Sequence, residues 1–174
     1  FTAAIRDIDG DGAEDFIVGG PIADRPDPNR PTNTFVHSGT VRVFSGRSGQ
    51  QLFQFDGPIT GIQMGRSVAS VPDADGDGVD DILAGAPGNV TESGGQASFG
   101  YAFLFSGRTG QLLGQFKGET ENDQFGFYVA GIEDLDGDGR GEVIVGARFG
   151  DPVNPATNRL MGDAGIVYVY SGSN

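Results

Sequence analysis

A nine-residue acidic pattern occurs three times in this chain: DIDGDGAED from Asp7, DADGDGVDD from Asp73 and DLDGDGRGE from Asp134. Carboxylates stand at positions 1, 3, 5 and 9 of each copy, with glycines at positions 4 and 6. Like charges on alternate residues repel, so each copy needs a positive partner to be tolerated in a folded chain. The copies begin 66 and 61 residues apart, and such repetition marks a chain assembled from equivalent structural units.

The surrounding sequence repeats with the loops. In the second copy the order is SVASV, the acidic loop, DILAGAP, a long connection over 88–99, YAFLF, the turn SGRTG and QLLGQF. The first copy reads TAAI, DFIVGGP, TVRVF, SGRSG and QLFQF; the third reads FYVAGI, EVIVGAR and GIVYVY and stops at SGSN. The order predicts eleven strands in an all-β chain, the third repeat lacking its fourth strand. The repeats are assigned to residues 1–57 (truncated at its N-terminal end), 58–118 and 119–174. The runs FIVGG, ILAGA and VIVGA are nearly continuous in apolar character, where a sheet with one wet face would alternate. Small four-stranded antiparallel sheets covered on both faces, one per repeat, are the blades of a β-propeller. A β-sandwich is also all-β, but it does not call for such regular repetition.

The loops themselves point to a hard cation. Odd-numbered carboxylates converge when a chain wraps an ion, and the glycines permit the tight path that the wrap demands. The candidate ligands are Asp7, Asp9, Asp11 and Asp15; Asp73, Asp75, Asp77 and Asp81; and Asp134, Asp136, Asp138 and Glu142. Position 7 is Ala13, Val79 or Arg140; the lack of shared side-chain chemistry there suits a backbone carbonyl ligand. An all-oxygen, multiply charged, flexible set favours Ca2+ over Mg2+, giving three calcium sites. Without His or Cys in the loops, zinc and copper are poor candidates. An EF-hand needs a Glu at position 12 and flanking helices, whereas position 12 is Val18, Ala84 or Val145 and strands flank the loops. Asp and Gly also mark solvated turns, a reading that three identical acidic patterns disfavour.

Composition narrows the partners. The formal charge is -13, from 24 acidic and 11 basic residues, which argues against nucleic acid and anionic membranes. Three divalent cations would offset about half of that charge. There is no Cys, so no disulfide or thiol chemistry is available. No apolar stretch reaches the 18 or so residues of a membrane-spanning helix. The chain starts at Phe1 and lacks a recognisable signal segment, which suggests a processed product or a fragment.

These residues resemble the FG-GAP repeats of integrin α-subunit propellers and of many bacterial surface proteins. Phe125-Gly126 precedes the third acidic loop and Gly85-Ala86-Pro87 follows the second. The pattern departs elsewhere: Met64-Gly65 replaces FG in the second copy, while Gly19-Gly20-Pro21 and Gly146-Ala147-Arg148 replace GAP in the others. The resemblance implies calcium in each acidic loop and a ring of seven blades. Fewer than three full blades make an incomplete ring with exposed blade faces and strand edges. The chain is therefore expected to be part of a longer one or a subunit of an oligomer or filament, its missing strand supplied by β-augmentation.

In an antiparallel meander the acidic loops share one face with the SGRSG and SGRTG turns. The opposite face carries dissimilar connections over 21–39, 88–99 and 148–164, together with 57–65 and 118–126. Variable loops on a rigid scaffold are where recognition resides, and the family resemblance implies a ligand face there too. His37, the single histidine, has no partner motif around it. Asn89-Val90-Thr91 fits a glycosylation sequon. GETEND at 118–123 reads as a solvated connection, and Phe125 and Phe127 as inter-blade core.

The function expected is a calcium-stabilised adhesion or assembly scaffold, extracellular or on the cell surface. It would bind protein partners or copies of itself through loops and blade edges. The alternatives are a carbohydrate-binding module and a hydrolase on a propeller scaffold. With no Trp the loops lack the usual platform for sugars, although carbohydrate remains a possible partner. No Ser-His-Asp arrangement supports an enzyme.

Overall fold

A computed structural model describes residues 1–88 and 98–172. The strands, in chain order, are β1 (Thr2–Ile5), β2 (Asp15–Gly20), β3 (Arg25–Asp27), β4 (Arg30–Phe35), β5 (Thr40–Phe44), β6 (Gln51–Asp56), β7 (Ser67–Val71) and β8 (Asp81–Ala86). They continue as β9 (Tyr101–Phe105), β10 (Leu112–Lys117), β11 (Phe125–Ile132), β12 (Glu142–Ala147), β13 (Val153–Asn154), β14 (Arg159–Leu160) and β15 (Ile166–Tyr170). Three antiparallel sheets form, in the orders β1-β2-β5-β6, β7-β8-β9-β10 and β11-β12-β15. These are the eleven strands that the repeats predict, and the third sheet has three. The sheets do not close a ring. Among the described residues no helix is long and apolar enough to cross a membrane.

Each sheet lies on the next. Ile17, Val41 and Val43 of the first pack against Ile82, Ala84 and Phe103 of the second. Leu83 and Leu104, on the far face of the second, meet Val143, Val145 and Phe125 of the third. Every residue of β8 is therefore buried, whereas β2 alternates buried and more exposed positions because its outer face is uncovered. Aromatic pairs bridge the sheets: Phe55 stacks on Phe105 with centroids 4.0 Å apart, and Phe116 meets Tyr170 at 4.6 Å.

The FG and GAP motifs have a common physical basis. Gly126 has φ +84, and a Cβ on Gly85 would meet its carbonyl oxygen at 2.1 Å. Gly65, the glycine of Met64-Gly65, has φ +88, and a Cβ on Gly19 would meet its oxygen at the same distance. The second strand of one blade thus touches the first strand of the next, backbone against backbone, where any side chain would wedge them apart.

Two of the connections expected as variable loops carry strands of their own. The segment 21–39 holds the β3–β4 hairpin, and 148–164 holds β13–β14. Arg25 in the first hairpin lies over Phe35 at 4.7 Å and donates from Nε to the Gly57 carbonyl at 2.7 Å.

Candidate metal centre

The three acidic loops connect β1 to β2, β7 to β8 and β11 to β12. Glycines at positions 4 and 6 hold φ between +78 and +87 in all three copies, which bends the backbone into a tight wrap. Position 1 caps that wrap. Asp7 accepts the amides of Gly10 at 2.7 Å, Asp11 at 3.1 Å and Gly12 at 2.7 Å. These amides, that of Gly12 foremost, hold its carboxyl below the usual carboxylate range. Asp134 accepts Gly137 at 2.6 Å and Gly139 at 2.8 Å. Positions 3 and 5 each accept the amide two residues on, as Asp75 does from Asp77 at 3.1 Å and Asp77 from Val79 at 2.9 Å. At position 7, the amides of Ala13 and Arg140 make the same contact, with Asp11 and Asp138 at 2.9 Å.

Position 9 opens the second strand and is buried. Asp15 accepts Ile8 and Gly46, both at 2.9 Å; Asp81 accepts Ala74 at 2.7 Å and Gly107 at 2.9 Å. Each carboxylate joins its acidic loop to the turn between the third and fourth strands. Glu142 accepts Leu135 at 2.8 Å through Oε2, but its Oε1 is buried with no hydrogen-bond partner. Burial also pushes the Asp81 pKa up to about 7.

Carboxylate oxygens of Asp134, Asp136, Asp138 and Glu142 lie within 4.8 Å of one another, as do those of Asp7, Asp9 and Asp15, and of Asp73, Asp75 and Asp77. Asp11 and Asp81 stand outside these converging sets. Asp11 turns toward Ser45, whose hydroxyl donates at 2.9 Å, and Asp81 is held by its two amides. In the second loop Asp73 Oδ1 is likewise buried without a hydrogen-bond partner. Anionic oxygens of this density, two of them unsatisfied, fit the all-oxygen donor set that a hard divalent cation takes.

Contacts between neighbouring loops were not anticipated. Arg6 donates from Nε to Asp80 at 2.7 Å, and Asp80 also accepts the Ser70 hydroxyl at 2.9 Å. Arg140, in the third loop, donates to the Ala74 carbonyl in the second at 3.2 Å. The serine-glycine pairs at 45–46, 106–107 and 171–172 were the available signal for the turn contacts, since they recur in every copy.

On the opposite face, Phe125 lies in the inter-blade core as expected. Phe127 is buried differently, between the guanidinium groups of Arg66 at 4.1 Å and Arg148 at 4.4 Å. Segment 118–123 is largely exposed, but Asp123 is buried, and burial raises its pKa. It borders an open cavity of about 480 Å³ together with Asp151 and Asp163. The backbone amide of His37 donates to Asp24 at 2.7 Å. The sequon at Asn89 lies outside the described residues.

The fold and loops define a class: propeller-type blades whose first hairpin loops are acidic wraps. Residues 64–105 match the FG-GAP repeat family model. The chain is 29% identical to integrin alpha-V of Gallus gallus over 180 residues, covering 99% of this chain and 15% of that protein. It is 28% identical to integrin alpha-5 of Xenopus laevis over 179 residues, with the same coverage. Integrin alpha-4 of Xenopus laevis matches at 26% over 87% of the chain and 14% of its own length. The likeness drawn from the motifs is borne out: residues 64–105 match the FG-GAP repeat, and the chain is similar to integrin α chains along nearly all its length. It spans about one-seventh of those relatives.

Proposed function

We propose that each acidic loop holds a calcium ion and that the three sheets form a calcium-stabilised extracellular scaffold for adhesion or assembly, not an enzyme. The observation that carries this reading is Glu142, 2% exposed, with an unpartnered carboxylate oxygen beside three converging aspartates. A cation supplies the missing positive charge and ties the first strand of each sheet to the second, so binding adds to folding stability. The ligands would be the carboxylates at positions 1, 3, 5 and 9 with the carbonyls of Ala13, Val79 and Arg140. The units bearing the loops are the repeats 1–57, 58–118 and 119–174. Calcium loops of extracellular modules bind at about 10⁻⁴–10⁻³ M, which suits the cell surface or beyond.

Partners would be proteins, including further copies of this chain. Uncovered apolar residues support that view at both ends of the stack: Phe16 is 40% exposed on the first sheet, and Val167 68% on the third. The hairpins β3–β4 and β13–β14 add distinct surfaces on the opposite face. Calorimetric titration with calcium chloride, read beside light scattering, tests both parts. Saturable binding with a rise in melting temperature and calcium-dependent association supports the reading; absence of calcium binding overturns it.

A further inference from the structure

The second loop carries a charge contact that a repeated metal site does not need. Arg108, in the turn after β9, donates from Nε to Asp77 Oδ2 at 3.0 Å and from Nη2 to the Asp77 carbonyl at 2.6 Å. Arg47 holds the equivalent place in the first copy, with Nε 3.7 Å from Asp11 Oδ1. The third copy has Ser173 at that position, outside the described residues. A guanidinium and a divalent cation both seek the position-5 carboxylate, and the two positive charges repel at close range. All four acidic positions converge in the loop whose turn lacks arginine, and only three do in each of the other two; Asp77, though held by Arg108, remains within the set of the second loop.

We propose that Arg108, and more weakly Arg47, are internal counter-cations that compete with the bound metal, so that the third loop fills at the lowest calcium concentration. This rests on the calcium reading above. Without metal, Arg108 offsets repulsion among Asp73, Asp75 and Asp77 and steadies the loop. With metal bound, the same charge weakens the site. One side chain therefore stabilises the cation-free chain and raises the calcium concentration needed to fill its loop.

The test is an NMR titration of the isotope-labelled chain with calcium chloride, following the amides of Gly12, Gly78 and Gly139, one per loop. In the wild type, Gly139 should reach its midpoint first. Arg108→Gln should lower the Gly78 midpoint roughly three- to tenfold and leave Gly139 in place, while Arg108→Lys should give a smaller shift. The Gln variant should also melt earlier than wild type in chelator and gain more from calcium. Arg108 is exposed enough (55% of its side chain) for the substitutions to fold. An unchanged or raised Gly78 midpoint overturns the proposal while leaving calcium binding intact. No calcium response at any of the three glycines in the wild type removes the calcium reading and this inference together.

Discussion

The Asp81 carboxylate accepts the Gly107 amide at 2.9 Å and the Ala74 amide at 2.7 Å, so one side chain fastens the acidic loop and the β9–β10 turn to the start of β8. Asp81 is 0% exposed, and removing it leaves two buried donors. Asp81→Ala should cost about 2–4 kcal/mol, since each buried unsatisfied group costs roughly 1–3 kcal/mol. Urea unfolding in chelator measures this without any metal contribution. A loss below about 1 kcal/mol would show that the turn does not depend on the carboxylate.

The same residue predicts an inverted pH dependence. Its folded pKa, about 7, lies above the ordinary value of 3.8 because burial penalises the charge. The folded chain then holds the proton more tightly than the unfolded one. Its stabilising contribution is complete below about pH 4 and is lost as pH rises toward 7. Asp7, whose pKa is lowered by backbone amides, has the opposite sign: its contribution is present at neutral pH and is lost as pH falls below the ordinary value. In chelator, Asp81→Asn should remove the decline between pH 4 and 7, and calcium should remove it in the wild type. A wild-type profile in chelator that rises through this window would refute the assignment.

Arg6 and Asp80 join the first two acidic loops with unequal exposure, the side chains being 62% and 7% exposed. Deleting Asp80 leaves an arginine that water can solvate. Deleting Arg6 leaves a buried carboxylate that keeps, among the described residues, the Ser70 hydroxyl as its side-chain donor. Arg6→Ala should therefore destabilise by about 1–2 kcal/mol and Asp80→Asn by less, following the asymmetry between exposed and buried charges. Thermal melts of both variants at low and moderate salt check the order; the reverse order would mean that Asp80 serves packing rather than charge.

Much of this arrangement was legible in the sequence. The apolar runs fixed the strands because each is short, bounded by turn residues and repeated. The acidic wraps were visible because ligand spacing within a loop is local. What escaped is contact between distant segments. Asp15 and Gly46 are 31 residues apart, as are Asp77 and Arg108, and such pairs follow only from how a turn folds back on a loop. The β3–β4 hairpin was obscured by its own composition, since RPDPNRPTNTF is rich in proline, which cannot donate to a strand ladder. Phe127 is buried as its place beside Phe125 suggests, but the guanidinium groups of Arg66 and Arg148 that lie over its ring come from distant segments.

The stack of sheets predicts a contrast between two phenylalanines. Phe55 reaches from β6 to lie on Phe105 of the second sheet, with ring planes 12° apart. Phe16, which stacks on Phe44 at 5.4 Å, faces away from the second sheet and is 40% exposed. Phe55→Ala opens the inter-sheet contact and should cost about 3 kcal/mol, at the lower end for buried aromatic truncation because Phe55 is only partly buried. Phe16→Ala in dilute chain should cost less than about 1 kcal/mol, because little packing is lost at a surface. If copies associate through the outer face of the first sheet, the Phe16 variant should lose stability relative to wild type only as protein concentration rises, because association stabilises by mass action. Denaturant unfolding at micromolar and millimolar chain concentrations separates the two effects. A Phe16 deficit that does not change with concentration would exclude that face from the assembly contact.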